Sequence, residues 1–542
     1  MTEGHALGRA ESSPASEAAV RLLTGLVENG VRDVVLAPGS RSQALALAAV
    51  GLARSGALRV QVRIDERVAG FTALGIARES GAPVALICTS GTAAAGFLPA
   101  AMEAFHSGVP LILLTADRPP ELRGVGANQA TIQPGMYGAW VRLGVDAEVP
   151  GSADPAVFST LAVEAAAAAM GAAGAGLTGV PGPVHLNLPA REPLSGALPD
   201  ALPVIAGPPP RPAAADPLPV APGPRTVVVA GADAGPDAER IAREGGWPLI
   251  AEIVSGARFG DHVVPDYRAR LRDPALADRI ERVIVLGHPT LSREVTALLG
   301  RTDLEVIAVR RGGERLNLSG AAVDAGAIAV TGPDADRTWL AEWTRAGTST
   351  PDARALAGPA AALDRTALVQ AVWTASGADD RLLFGSSRLV RVADQVLPGA
   401  RVRVHANRGL AGIDGTIATG IGIAAAAQTE PAAGTVRVLL GDLSFLHDVG
   451  SLLLPADEPP PRIQVIVGND GGGTIFDGLE VAGTAGSAAL DRVFYTPQSV
   501  ALAPLAAAYG WTYRRVGTRA ELERALADEV TGPQLIEVPL DR

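Results

Sequence analysis

The chain has 542 residues, a formal net charge of −11 and a single cysteine. That length exceeds one ordinary domain and points to about three. The acidic balance excludes a nucleic-acid partner, which needs a concentrated basic surface, and Cys88 alone permits no intrachain disulfide. Hydrophobic residues make up 48% of the chain, but the richest stretch, 161–180, contains Glu164 and several glycines, so no membrane span is expected. The acidic start Met1-Thr2-Glu3-Gly4-His5 lacks the basic and apolar regions of a signal peptide, which makes the cytoplasm the expected location.

In chain order, short apolar runs at 33–37, 60–64, 84–89 and 110–115 read as strands, each followed by a helical pattern, with a helix expected over 67–79. Cys88 lies in one of these runs and reads as a packed thiol. Residues 202–225 are dense in Pro and Ala, which disfavours both helix and ladder and reads as a linker. The middle of the chain has strand-to-turn edges at 227–231 and 283–287, and neither is followed by a Gly-x-Gly-x-x-Gly fingerprint, so no FAD or NAD site is supported. A second linker is read at 346–363, after which 436–440 and 463–467 are the strongest strand signals. Strands alternating with helical patterns, three times over, predict an α/β protein of three mainly parallel sheets flanked by helices. The expected division is 1–201, linker 202–225, 226–345, linker 346–363, and 364–542.

Two segments carry the chemistry. Gly441-Asp442-Leu443-Ser444 and Asn469-Asp470-Gly471-Gly472-Gly473 each close an apolar strand with oxygen ligands and a flexible turn, and the 26 residues between Asp442 and Asn469 leave room for one crossover helix. Two parallel strands would then deliver both side chains to one sheet edge. A carboxylate, an amide oxygen and a glycine-turn carbonyl suit a hard cation such as Mg²⁺, which keeps places for substrate phosphates. Ordinary glycine-rich strand-to-helix loops are the alternative for either segment alone.

Together the segments resemble the metal and diphosphate signature of thiamine diphosphate enzymes, Gly-Asp-Gly followed by Asn, with Leu443 at the third position. The resemblance implies that Asp442, Asn469 and the Gly471 carbonyl bind Mg²⁺ or Mn²⁺, and that Gly441, Leu443, Ser444 and Gly472 border the diphosphate. It implies an N-terminal pyrimidine-binding domain, a central domain and a C-terminal diphosphate-binding domain. It also requires a glutamate for the aminopyrimidine, and Glu66 in Arg63-Ile64-Asp65-Glu66-Arg67 is in place at a strand end. Such a carboxyl hydrogen-bonds N1′ and favours the imino tautomer that removes the C2 proton; a surface carboxylate at a helix start is the alternative. Ser90, Gly91 and Thr92, in the turn 89–93, would contact the cofactor or a neighbouring subunit, with a plain capping turn as the alternative; Ile413 matches the apolar residue that bends the cofactor's two rings together, although Ile413 taken alone reads as core.

Further motifs narrow the resemblance: Ala37-Pro38-Gly39-Ser40-Arg41-Ser42, 114–122, Gly126-Ala127-Asn128-Gln129, Asn407-Arg408-Gly409, Gly412-Ile413-Asp414-Gly415 and Gly472-Gly473-Thr474-Ile475-Phe476. The ordered set is similar to the MenD family, the 2-succinyl-5-enolpyruvyl-6-hydroxy-3-cyclohexene-1-carboxylate synthases of menaquinone biosynthesis. The resemblance implies a transferase that decarboxylates 2-oxoglutarate and adds the succinyl carbanion to isochorismate. Both substrates are dicarboxylates, which planar guanidinium groups bind through paired hydrogen bonds. Ser40, Arg41, Arg118, Asn128 and Gln129 would hold isochorismate. Ser387 and Arg391, four apart on one helical face, would join Arg408 at 2-oxoglutarate, with Ile475 and Phe476 lining the pocket; a central-domain basic pair maps loosely onto Arg293. The family builds each active site from two subunits, so a homodimer or homotetramer is implied. A simple 2-oxoacid decarboxylase and a catalytically silent subunit of the same fold are the rival readings.

Overall fold

A computed structural model of the protein describes residues 12–152, 154–172, 179–332, 337–345, 363–429 and 433–542. It divides into two compact units, Met1–Ala213 with Pro455–Glu458, and Ala214–Leu454 with Pro459–Arg542.

The first unit is built on six strands, β1 (Asp33–Leu36), β2 (Arg59–Val62), β3 (Val84–Cys88), β4 (Leu111–Asp117), β5 (Leu143–Asp146) and β6 (Val184–Pro189). They form one sheet in the order β2-β1-β3-β4-β6-β5, and every pairing is parallel. β1, β3, β4 and β6 are buried along their whole length, as strands covered on both faces must be. On one face lie α1 (Pro14–Glu28), α2 (Gln43–Arg54) and α6 (Ala156–Ala169), whose Leu22, Leu26, Ala48, Leu52, Ala162 and Ala165 share a core with the sheet. Between β2 and β4 run α3 (Glu66–Ser80), α4 (Thr92–Gly96) and α5 (Leu98–Ser107). The Asp65 side chain caps α3 by accepting from Arg67 N and Val68 N, and Gly81, at φ +66°, ends it in the left-handed conformation that glycine adopts without strain. Cys88 is fully buried, and burial together with nearby Glu66 raises its thiol pKa well above the ordinary value, which fits packing.

The Pro-rich segment after β6 does not hang free. Leu202 N donates to Gly51 O (3.0 Å) and Gly207 N to Val27 O (3.2 Å), so its few backbone N–H groups bind the first unit one at a time. Within the expected linker 202–225, β7 (Leu218–Val220) belongs to the second unit and pairs with β13 (Ile328–Val330), a short ladder that the Pro and Ala content of the segment disfavours. Of the second expected linker, 346–362 lies outside the described residues.

The second unit has two larger sheets. β8 (Thr226–Ala230), β9 (Leu249–Ala251), β10 (Arg282–Leu286), β11 (Glu305–Val309) and β12 (Val323–Ala325) pair in the order β12-β11-β10-β8-β9, all parallel. β14 (Arg381–Phe384), β15 (Arg403–His405), β16 (Val436–Gly441), β17 (Ile463–Asn469), β18 (Thr512–Arg515) and β19 (Gln534–Pro539) pair in the order β15-β14-β16-β17-β19-β18, again all parallel. Numbered within each sheet, the strand orders of the first and last sheets are identical. The two sheets of the second unit meet around fully buried Asp394, whose carboxylate accepts from Tyr267 OH (2.6 Å), Arg268 Nη2 (2.7 Å), Arg258 Nη1 (3.2 Å) and Ile253 N (2.9 Å). Among the described residues no helix is long and apolar enough to cross a membrane.

Candidate active site

In an open parallel sheet the place for a ligand is the crevice outside the carboxyl ends of the strands, where the strand order reverses. In the first sheet the reversal lies between β1 and β3. The segments leaving β1, β3 and β4 carry Ser40-Arg41, Ser90-Gly91-Thr92 and Arg118, so these motifs, distant in sequence, reach one edge.

Hydrogen bonds join them. Arg118 is buried, and its Nη1 donates to Ser90 Oγ; Ser90 Oγ donates to Gln129 O (3.1 Å), and Gln129 Nε2 returns a bond to Ser90 O (2.9 Å). Gln129 is held at φ +58°, a conformation rare for a non-glycine residue and a mark of local constraint. Arg41 donates to Ala190 O (3.0 Å); burial and then the neighbouring Arg118 charge lower its pKa. The carboxylates of Glu192 and Asp117 act in the opposite sense, so the two guanidinium groups share this edge with nearby acids. Ser40 and Asn128 are exposed beside this cluster in sequence. Glu66 opens α3, half-buried, and Gly96 packs so closely on it that a Cβ there would lie 2.7 Å from the Glu66 Cβ.

A buried polar network underlies the cluster, and it had no sequence signal. Gln133, fully buried, accepts from Gly91 N (2.8 Å) and donates to Ala116 O (3.1 Å) and Asn187 Oδ1 (3.0 Å). Asn187 donates to Asp117 Oδ2 (2.9 Å). His185, 2.7 Å from Thr115 Oγ1, is kept neutral by burial, which lowers its pKa to about 4.

In the last sheet the register pairs Gly441 with Gly468, so Asp442 and Asn469 emerge side by side from β16 and β17. The crossover between them is shorter in helix than expected: Asp442–His447 and a 3₁₀ turn Val449–Leu452. Asp442 heads that helix, and its carboxyl accepts from Leu443 N (2.8 Å). Burial first, and nearby Asp470 among the further causes, raise the Asp442 pKa to about 6. A buried carboxylate beside an amide oxygen and a carbonyl is a donor set that a hard divalent ion fits. Asn469 Oδ1 accepts from Gly471 N (3.3 Å) and its Nδ2 donates to Glu537 Oε1 (2.7 Å). The Gly471 carbonyl accepts from Arg542 Nη2 (3.1 Å), which leaves its second lone pair. Asp470 is taken up by Arg365 (2.7 Å). Gly472, at φ +134°, has space only for hydrogen: a Cβ would lie 2.2 Å from Tyr495 O.

The remaining assigned residues divide. Arg408, buried, donates to Thr290 Oγ1 (2.8 Å), Thr290 O (3.2 Å) and Ser386 Oγ (3.3 Å), and Arg391 reaches Leu291 O (3.5 Å), so both arginines converge on one turn. Ser387 is not on a helical face with Arg391: it is the N-cap of Arg388–Val396 and accepts from Leu389 N, as a serine preceding a helix does. Arg293 stands in solvent, 74% exposed, paired with Glu480 at 3.4 Å. Ile413 is not core; it is exposed in the turn before the helix Thr416–Ala427, free to meet a ligand. Ile475 and Phe476 are half-buried, with Phe476 edge-on to Phe494 at 5.3 Å.

Residues 17–136 match the family model described as "Thiamine pyrophosphate enzyme, N-terminal TPP binding domain", and 393–538 match its C-terminal counterpart. The chain is 50% identical to the 2-succinyl-5-enolpyruvyl-6-hydroxy-3-cyclohexene-1-carboxylate synthase of Leifsonia xyli subsp. xyli, over 98% of this chain and 97% of that protein. It is likewise 50% identical to the synthase of the same name from Clavibacter michiganensis subsp. michiganensis, with the same coverage. Among solved structures, a benzoylformate decarboxylase from Polynucleobacter necessarius superposes with a TM-score of 0.67 over 98% of this chain and 99% of that one, at 17% identity, a likeness of fold. With near full-length similarity of this order and both thiamine pyrophosphate modules present, the chain belongs to the 2-succinyl-5-enolpyruvyl-6-hydroxy-3-cyclohexene-1-carboxylate synthase family of thiamine pyrophosphate enzymes.

Proposed function

We propose that the protein decarboxylates 2-oxoglutarate and adds the remaining four-carbon unit to the ring alkene of isochorismate, the committed carbon–carbon bond formation of menaquinone biosynthesis. One bond breaks with loss of CO2, one forms to the ring, and a proton is taken up. Thiamine diphosphate, when bound, supplies the electron storage that decarboxylation demands.

The residues of the chain bind, orient and move protons. Glu66 hydrogen-bonds the aminopyrimidine N1′ and shares a proton with it, while Ser90, Gly91 and Thr92 border that end. Asp442, Asn469 and the Gly471 carbonyl hold Mg²⁺ or Mn²⁺ against the diphosphate; Gly441, Leu443, Ser444 and Gly472 line it, and Ile413 supports the rings. Arg41 and Arg118, with Ser40, Asn128 and Gln129, take the carboxylates of isochorismate. Arg391 and Arg408, with Ser387, take those of 2-oxoglutarate between Ile475 and Phe476, and Arg293 serves at most as an outer contact. The pyrimidine residues lie in the first unit and the diphosphate residues in the second, and we read each site as completed between two copies of the chain. The observation that carries the substrate reading is the convergence of Arg41 and of buried Arg118, the latter bonded to Ser90 Oγ, at the sheet's ligand edge.

The test is an assay with purified protein, thiamine diphosphate, Mg²⁺ and 2-oxoglutarate that follows isochorismate loss and the mass of the adduct. Consumption with formation of the succinyl adduct supports the reading; decarboxylation with isochorismate untouched removes the acceptor assignment. Glu66→Gln should lower turnover by about 10²-fold or more at saturating cofactor, with thiamine diphosphate still bound; unchanged turnover removes Glu66 from the proton path.

A further inference from the structure

An asparagine amide has an oxygen end and a nitrogen end of nearly equal shape, and only the oxygen can ligate a cation. Asn469 therefore needs something that decides which end faces the glycine turn. Glu537 occupies the position to do so. In the register of β17 and β19, Glu537 pairs with Val467, two residues before Asn469, so the two side chains are diagonal neighbours on one face. On the far side, Tyr513 of β18 stands in the same diagonal relation to Glu537, because β18 pairs Arg515 with it. The three side chains form one row: Tyr513 OH donates to Glu537 Oε2, and Asn469 Nδ2 donates to Glu537 Oε1 at 2.7 Å.

A carboxylate only accepts, so the partner end of Asn469 must be its NH₂ group. Its Oδ1 is left on the turn side, 3.3 Å from Gly471 N, at the edge where Asp442 emerges. Glu537 is 9% exposed, so water does not readily substitute for it. We infer that Glu537, itself oriented by Tyr513, is the positioning residue that fixes the Asn469 amide with its oxygen toward the divalent metal. The inference rests on the reading of Asp442 and Asn469 as metal ligands. Partners behind the ligands of a metal site commonly change affinity by 10–100-fold when removed.

The substitution Glu537→Met removes the acceptor, whereas glutamine would keep an oxygen toward Asn469 by donating its NH₂ to the Tyr513 hydroxyl, which accepts as well as donates. With no oxygen opposite the asparagine NH₂, nothing fixes the amide with its oxygen toward the metal. Asn469→Asp in that background would undo the fault, since a carboxylate presents an oxygen at either end.

The experiment measures Mn²⁺ binding directly, by loss of the free-ion EPR signal in the presence of thiamine diphosphate, together with melting temperature. Glu537→Met is expected to weaken Mn²⁺ by about 10–100-fold, and Glu537→Met/Asn469→Asp to recover most of that loss. Asn469→Asp alone sets two carboxylates at the 2.7 Å contact and should lose at least about tenfold, which provides the test should Glu537→Met not fold. A general structural role would lower all melting temperatures without the recovery. Mn²⁺ binding that survives Asp442→Ala overturns the metal reading and this inference with it. Asp442-dependent binding indifferent to Glu537→Met, or a double variant as weak as Glu537→Met, overturns this inference alone.

Discussion

Replacing Glu252 by glutamine measures the cost of holding a carboxyl group in a dry interior. Glu252 follows β9, is fully buried, and accepts from Thr290 N (3.0 Å) and Leu291 N (2.7 Å), the turn on which Arg408 also closes. Burial and the nearby Asp394 charge push its pKa from 4.5 to about 8, outweighing the two backbone donors and Arg408. Between those values the folded chain keeps a proton that the unfolded chain releases, so stability falls as pH rises through this window and levels off above it. One proton sets a ceiling of about 1.4 kcal/mol per pH unit, or about 3 kcal/mol from pH 6 to pH 8. For a cooperative unit of roughly 300 residues, with an unfolding entropy near 2 cal/mol/K per residue, that is a fall of about 5 °C in melting temperature. Glutamine resembles the protonated form and cannot ionise. Glu252→Gln should melt close to the parent at pH 6 and gain on it steadily toward pH 8, read by calorimetry without cofactor so that ligand binding does not enter. Parallel pH profiles for the two proteins would refute the assignment of the slope to Glu252.

Two further substitutions follow from close contacts. Gly96→Ala places a Cβ 2.7 Å from that of Glu66 and should displace the first turn of α3. A shift of about 1 Å can cost roughly 100-fold in rate, so turnover should drop well beyond any loss of melting temperature; full activity would show that Glu66 tolerates displacement. Gly472→Ala meets the Tyr495 carbonyl at 2.2 Å in a conformation that disfavours side chains, a strain of about 1–3 kcal/mol. Titration calorimetry should show thiamine diphosphate with Mn²⁺ bound about tenfold more weakly or worse, and parental affinity would mean that the turn does not cradle the diphosphate.

What was legible in the sequence is what is local. An unbroken apolar run such as 463–467 dictates a strand buried on both faces, and the turn residues that follow dictate where the strand ends, so Asp442 and Asn469 could be placed at strand termini before any contact was known. The motif of Glu66 and the serine-arginine turn after β1 were legible for the same reason. The helix content of the crossover was not, because a chain of that length can run between parallel strands with one turn of helix or four. Ile413, placed at the cofactor by resemblance, reads as core when taken alone and is exposed, since hydrophobicity alone does not say which apolar residues a fold leaves for a ligand. Ser387 read as part of a helical face and is a cap, a difference of one residue in where the helix begins.

Tertiary structure alone decided the partners. Glu537 was visible only as a lone carboxylate in an apolar strand, and its bond to Asn469 exists because β19 lies beside β17 in one particular register. Gln133 carried no pattern at all, yet it joins the segments after β3, β4 and β6. Arg41 and Arg118, 77 positions apart in sequence, become a repelling pair only when the parallel order brings β1 and β4 to the same edge. Sequence sets which residues can bond, through their chemistry and local period, whereas long-range register sets which of them meet, because strand order is a property of the packed sheet and of no single segment.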